Sequence, residues 1–178
     1  MIRLFAAVDI PERIRLRLSL LQGGVPGAKW SPAENLHLTL CFIGDVDEAA
    51  AGDIDDALSA LHSPAFEVSL KGAGEFGGNE PRALWAGVAP CPDLTRLVAK
   101  IERALQRAGR PAETRKYSPH VTLAYLKDTP VTRVIEFLAA HSLFDSGPFA
   151  VKAYSLFSSH RTARGSSYRT ERTYALDD

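Results

Sequence analysis

The sequence predicts an α+β fold of two lobes related by a pseudo-twofold axis. Each lobe is expected to be an antiparallel-rich sheet with helices outside, and the active-site cleft is expected between the two sheets. Stretches with the two-residue alternation of strands occur among stretches with the apolar spacing of helices. In addition, one pattern occurs twice, as His37-Leu38-Thr39-Leu40 and as His120-Val121-Thr122-Leu123. We therefore expect a single bilobal domain over 1–178, with an internal repeat of approximately 1–82 and 83–178.

Length and composition agree with one globular domain. The chain has 178 residues, of which 46% are hydrophobic and 24% charged, so it can bury a substantial core. Its 21 basic and 21 acidic residues leave a formal net charge of zero. A protein that coats long nucleic acid is usually strongly basic. Any contact with nucleic acid is therefore expected to be local, at an end or a short segment.

The first repeat shows one element after another. Pro11 and Glu12 suit the first turn of a helix, and glycines after Leu21 end it. The expected elements are a strand at 4–10, this helix, the His37 strand, a helix at 47–61, a strand at 66–70, a Gly-rich turn region at 72–78 and a strand at 83–88.

The order then begins again. Pro92 and Asp93 open a helix whose apolar residues follow the helical period. The expected elements after it are the His120 strand, a helix at 132–140, a strand at 149–157, a polar loop at 158–167 and a last strand at 168–176.

The repeat has a measurable register. His120 and Thr122 follow His37 and Thr39 at an offset of 83 residues. Further matches at this offset are Ser63, Phe66 and Val68 with Ser146, Phe149 and Val151, whereas Leu4, Ala6 and Val8 match Leu84, Ala86 and Val88 at an offset of 80. A register shared by a strand, a helix and the next strand indicates an internal duplication.

Strand geometry predicts which side chains meet. Because residues i and i+2 of a strand share a face, each histidine lies beside the threonine two positions later. The same parity puts Cys41 on the face of His37, and it turns Phe42 and Tyr125 away from the catalytic face. We therefore expect Phe42 and Tyr125 in the core.

Two histidines on opposite sides of a substrate can act as acid and base, since imidazole titrates near neutral pH. Each such proton transfer typically contributes about 10²- to 10⁴-fold. Threonine hydroxyls beside them can bond the oxygens of a phosphate. No nucleophile elbow, P-loop or dinucleotide-binding glycine motif is present.

A metal site is the alternative interpretation of the two histidines. A catalytic zinc usually has three protein ligands, and no carboxylate lies two residues from either histidine. The sequence thus predicts neither a metal nor another cofactor.

The two cysteines form no disulfide or metal pattern, the N-terminal stretch is too short for a signal peptide, and no apolar run approaches the roughly 18 residues of a membrane span. We expect a cytoplasmic protein without membrane contact.

The chain resembles the 2H phosphoesterase superfamily, which is defined by two His-x-Thr-x motifs. Within it, the chain is similar to the bacterial and archaeal RNA 2′,3′-cyclic phosphodiesterases, historically called 2′-5′ RNA ligases. The resemblance covers nearly the whole chain. It rests on the segments 3–11, 35–44, 118–123 and 156–159, together with Trp85 and Arg115.

The resemblance implies a bilobal fold and metal-independent hydrolysis of a terminal 2′,3′-cyclic phosphate on RNA to a 2′-phosphomonoester. His37 would be the general acid and His120 the general base, and Thr39 and Thr122 would hold the phosphate oxygens. Reversible 2′-5′ ligation is also associated with the family.

Substrate contacts are expected from a second group of residues. Arg115 matches a basic position of the family, where it would reach the phosphate or the RNA backbone. Arg161, Arg164 and Tyr168 combine positive charge with an aromatic ring, which suits single-stranded RNA ends.

The expected partner is RNA with a 2′,3′-cyclic phosphate end, tRNA fragments included, bound by a monomer. Two alternatives stay open: a phosphodiesterase for small cyclic nucleotides or 2′-5′ oligoadenylates, and a non-catalytic module that binds RNA ends.

Overall fold

A computed structural model describes the whole chain, Met1–Asp178. It contains nine strands, four α-helices and one short 3-10 helix. The strands are β1 (Ile2–Asp9), β2 (Ala28–Trp30), β3 (His37–Val46), β4 (Phe66–Phe76), β5 (Ala83–Val88), β6 (His120–Leu126), β7 (Asp145–Val151), β8 (Ala153–Thr162) and β9 (Gly165–Ala175). The helices are α1 (Glu12–Ser19), α2 (Glu48–Ser59), α3 (Pro92–Arg107) and α4 (Val131–His141), and the 3-10 helix is Ala33–Asn35.

The strands form two sheets. The first sheet has the order β3-β1-β8-β9, and the second has the order β2-β6-β5-β4-β7. All pairings within both sheets are antiparallel. The predicted α+β fold of two antiparallel sheets is therefore confirmed.

Each sheet contains strands from both predicted repeats. β2 and β4, from the first repeat, lie in the second sheet, whereas β8 and β9, from the second repeat, lie in the first sheet. The chain thus crosses between the sheets, and the boundary of the predicted repeat does not separate them.

The core lies where the helices cover the sheets. α3 has the clearest apolar stripe, with Leu94, Leu97, Val98, Ile101, Ala104 and Leu105 all buried. α2 begins at the expected place because the carboxylate of Asp47 accepts a hydrogen bond from the backbone N–H of Ala50 at 2.8 Å. No helix is both long and apolar enough to cross a membrane.

Three predicted elements differ from the structure. The strand at 66–70 and the Gly-rich turn at 72–78 form one strand, β4, whose pairing is irregular near Leu70. The strand at 149–157 is divided at Lys152 into β7 and β8, which lie in different sheets. The polar loop at 158–167 is a hairpin between β8 and β9, whose exposed polar residues hide the strand alternation.

Candidate active site

Both His-x-Thr pairs line one cleft of about 700 Å³ between the sheets. His37 and Thr39 come from β3 of the first sheet, and His120 and Thr122 come from β6 of the second. In each strand the histidine is the first residue, so its ring lies at the strand end while its partner threonine follows on the same face. The four predicted catalytic residues thus lie together.

The two imidazoles are held in the same way. Nδ1 of His37 lies 2.7 Å from the backbone carbonyl of Asn35, and Nδ1 of His120 lies 2.7 Å from that of Ser118. A carbonyl oxygen only accepts, so each Nδ1 carries the proton and donates it. In both rings Nε2 is left to exchange protons with a substrate.

His37 lies in an aromatic environment. Its ring centroid is 4.9 Å from that of Phe5 and 5.1 Å from that of Tyr168, which meets it edge-on. Burial lowers the pKa of His37, an effect opposed by the carbonyl of Asn35 and by the negative charge of Asp9. Packing therefore fixes this ring and disfavours its charged form.

His120 has a different set of neighbours. Phe76 meets its ring edge-on at 4.9 Å, and Trp85 lies 6.0 Å away. The indole of Trp85 covers Gly74 so closely that a Cβ at that position would lie 2.1 Å from Cη2. A glycine at 74 is thus required for Trp85 to lie beside His120.

The threonine hydroxyls are available to a ligand. Both threonines are half-buried in the cleft, and neither hydroxyl has a hydrogen-bond partner inside the protein. The hydroxyl of Tyr117 donates a hydrogen bond to the backbone carbonyl of Thr39 at 2.8 Å, which helps to fix the position of β3. Two imidazoles and two hydroxyls without protein partners therefore line the same cleft, and such groups can bind the oxygens of a phosphate.

The prediction that Phe42 and Tyr125 belong to the core is wrong. Phe42 is 66% exposed, Tyr125 is 58% exposed, and both line the cleft. The reason is a bulge in each strand: β1 skips Leu40 in its pairing with β3, and β5 skips Leu123 in its pairing with β6. The extra residue reverses the parity of Phe42 and Tyr125, which come soon after it. In β3 a second irregularity in the pairing with β1, at Ile43, follows Phe42.

The same bulge moves Cys41 away from the face of His37. Cys41 packs against the hydrophobic core, and burial raises the pKa of its thiol to about 11. The two bulges are themselves 83 residues apart, at Leu40 and Leu123. Phe42 and Tyr125 could have been recognised as cleft residues from their offset of 83 residues, which they share with the His-x-Thr pairs, but not from strand parity.

The predicted substrate-contact residues fall into two groups. Arg161, Arg164 and Tyr168 line the cleft from the β8–β9 hairpin. Arg115 is not among the residues that line it: its side chain is 80% exposed and paired with Glu113 at 3.2 Å.

Two basic residues of the cleft were missed by the sequence analysis. Arg3 lines it while paired with Asp45 at 2.9 Å, and Lys29 lines it from β2 of the second sheet. Nowhere in the chain do three or more His, Cys, Asp or Glu side chains converge in a group that could hold a metal ion.

Comparison with known proteins gives a consistent result. The family model of the 2′-5′ RNA ligase superfamily matches residues 9–163. A protein of Aeropyrum pernix named RNA 2′,3′-cyclic phosphodiesterase is 34% identical over 159 residues, which are 88% of this chain and 90% of that protein. A protein of Archaeoglobus fulgidus with the same name is 31% identical over 176 residues, or 97% of this chain and 99% of the relative.

Solved structures share the fold. Escherichia coli LigT in its apo form superimposes with a TM-score of 0.80 at 24% identity, covering 99% of this chain and 98% of LigT. A protein of Thermus thermophilus gives a TM-score of 0.81 at 25% identity, covering 98% and 97%. The resemblance found in the sequence is confirmed, and this chain belongs to the 2′-5′ RNA ligase superfamily.

Proposed function

We propose that this protein hydrolyses RNA 2′,3′-cyclic phosphate ends to 2′-phosphomonoester ends by general acid and base catalysis. The observation that carries the proposal is the pair of histidines, each with Nδ1 bound to a carbonyl and Nε2 left free in the shared cleft. The relatives named RNA 2′,3′-cyclic phosphodiesterase, at 30% to 34% identity, support the same activity.

The reaction needs one proton removed and one supplied. His120 Nε2 takes a proton from water as its oxygen attacks phosphorus in line with the bond to O3′. The P–O3′ bond breaks, and His37 Nε2 gives its proton to O3′, which leaves as the 3′-hydroxyl. Thr39 and Thr122 donate to the non-bridging oxygens as charge builds on them. The phosphate stays on O2′.

The environment of His37 bears on its role as the acid. Burial lowers the pKa of His37, which opposes protonation before the substrate binds. The anionic cyclic phosphate brings a negative charge beside the ring, and this charge favours the imidazolium form. Asp9, which faces His37 across the β1–β3 pairing, acts in the same direction.

Ligation is a second candidate activity, and membership of the 2′-5′ RNA ligase superfamily favours it. A 5′-hydroxyl end would replace water as the nucleophile, and the P–O3′ bond would break as before. The product would be a 2′-5′ phosphodiester. The same two imidazoles can catalyse both hydrolysis and ligation, since each can give or take a proton.

The test is to incubate chelator-treated protein with an oligoribonucleotide that ends in a 2′,3′-cyclic phosphate and to map the product ends. We expect a 2′-phosphate, and we expect His37→Ala and His120→Ala to lose most turnover. His62→Ala is the matched control, because His62 is 83% exposed and lies outside the cleft. A 3′-phosphate product would contradict the assigned proton transfers. Chelation that stops turnover, with recovery on adding zinc or manganese, would contradict a metal-independent reaction.

The alternatives are separated by the same assay. If the protein turned over small cyclic nucleotides or 2′-5′ oligoadenylates but not the RNA end, these smaller molecules would replace RNA as the proposed substrate. Tight binding of the RNA end without any turnover would leave a binding module. We further propose a monomer that acts in the cytoplasm, which light scattering and cell fractionation would test.

A further inference from the structure

Three basic side chains of the cleft have no acidic partner. The charged residues that line it are Arg3, Lys29, Asp45, Arg161 and Arg164. Arg3 and Asp45 neutralise one another at 2.9 Å, and none of the seven ion pairs of the chain includes the other three. The cleft therefore has a net positive charge that comes from Lys29, Arg161 and Arg164.

These three residues line the same cleft although they come from different sheets. Arg161 and Arg164 belong to the tip of the β8–β9 hairpin in the first sheet, whereas Lys29 belongs to β2 in the second. A Cβ placed on Gly165 would lie 3.1 Å from Nζ of Lys29, so the tip of the hairpin contacts the lysine. The positive charge is thus concentrated where the hairpin reaches across the cleft.

A single residue joins this tip to the histidine site. The side-chain amide of Asn35 donates to the backbone carbonyl of Ser166 in β9 at 2.9 Å. The backbone carbonyl of the same Asn35 accepts from Nδ1 of His37 at 2.7 Å. The basic cluster is therefore a neighbour of the histidine site without being part of it.

We infer that Lys29, Arg161 and Arg164 form a subsite for the phosphodiester on the 5′ side of the terminal nucleotide. A cyclic phosphate carries one negative charge, and the two imidazoles and two threonine hydroxyls of the site are enough to bind it. Three further unpaired cations beside that site match an additional anion, and an RNA chain places its next phosphate one nucleotide away.

This inference rests on the proposed function and narrows its substrate class. A nucleoside 2′,3′-cyclic phosphate has no 5′ phosphate and leaves the cluster unused. The preferred substrate is then a chain of two or more nucleotides, which is bound through its phosphate backbone independently of its base sequence.

The test compares three substrates: a nucleoside 2′,3′-cyclic phosphate, a dinucleotide with the same cyclic end, and that dinucleotide with an uncharged methylphosphonate linkage. In the wild-type protein we expect kcat/KM to be highest for the charged dinucleotide. In Lys29→Ala the ratio of kcat/KM for the charged dinucleotide to kcat/KM for the uncharged one should fall about tenfold. This size lies between the few-fold effect of losing an exposed ion pair and the larger effect of losing a buried one. Lys29→Arg should restore most of it, and Arg96→Ala, an exposed arginine of α3, is the control.

Binding measurements give a readout that does not depend on turnover. Calorimetry with the dinucleotide product should show weaker binding to Lys29→Ala than to the wild-type protein. The affinity of the variant should also depend less steeply on salt concentration, because one contact with a phosphate is lost. Equal affinity for the charged and uncharged dinucleotides in the wild-type protein would overturn the subsite. If the protein hydrolysed none of the three substrates, the proposed function would be contradicted instead. The calorimetry would still show whether the three basic residues bind the additional phosphate.

Discussion

Replacing Thr39 or Thr122 by valine tests whether the two hydroxyls stabilise the transition state. Valine keeps the branched shape that suits a strand, so each variant removes a hydroxyl and little else. Neither hydroxyl has a partner inside the protein, so no buried group loses its hydrogen bond. Loss of a donor to a developing negative charge costs about 10²- to 10³-fold in kcat. Because the cleft is open and both threonines are only half-buried, we expect the lower end, about 10²-fold, or roughly 2.7 kcal/mol.

The assay is steady-state hydrolysis of an oligoribonucleotide with a 2′,3′-cyclic phosphate end, with the melting temperature measured alongside. If the two hydroxyls act independently, the double variant should lose about 10⁴-fold. Thr132→Val, in an exposed position of α4, is the matched control. A single variant that keeps more than a third of wild-type kcat would refute stabilisation of the transition state by that hydroxyl. A rise in KM with kcat unchanged would refute it as well, because that result means that the hydroxyl binds the ground state and the transition state equally.

Two further predictions concern the bulge in β3 and the negative charge beside His37. Phe42→Ala should leave the free energy of unfolding nearly unchanged, because Phe42 is 66% exposed, and should weaken RNA binding by about 1 kcal/mol or more through lost base stacking. Leu38→Ala, at a fully buried neighbour, should cost about 2 to 5 kcal/mol of stability, and the reverse ranking in denaturant titrations would contradict the bulge. Asp9→Asn removes a charge that raises the pKa of His37, so it lowers that pKa further. If His37 is the acid, kcat/KM falls at neutral and alkaline pH; a rise at acid pH instead would identify His37 as the base.

The meeting of the two His-x-Thr pairs in one cleft could be predicted because it depends on short-range geometry. His37 and Thr39 lie at the start of a strand, before any irregularity, and His120 and Thr122 do so as well. Two positions of regular strand are enough for parity to hold. The 83-residue repeat then supplied the second pair.

Parity failed further along the same strands. The segment Leu40-Cys41-Phe42-Ile43 is apolar at every position, so its alternation gives no sign of where an extra residue is inserted. The bulge is visible only in the pairing with β1. The division at Lys152 was hidden for a related reason, because the sheet that a strand joins depends on distant partners.

The acid and base roles show a different limit. The two motifs are alike in sequence, so the roles rested on family resemblance. The structure gives the two rings different neighbours, Phe5, Tyr168 and Asp9 for His37 but Phe76 and Trp85 for His120. These contacts come from strands far apart in the chain, and a local pattern does not encode them.

The crossing of the chain between the sheets has a consequence for how the molecule could be divided. Fragments cut between the repeats would each lack strands of their own sheet: 1–82 would have β1 and β3 without β8, and 83–178 would have β5 and β7 without the intervening β4. Each piece would expose unpaired strand edges, which favour aggregation. The two predicted repeats are therefore interlocked, and the two histidines should lose their alignment together, in one cooperative unfolding transition.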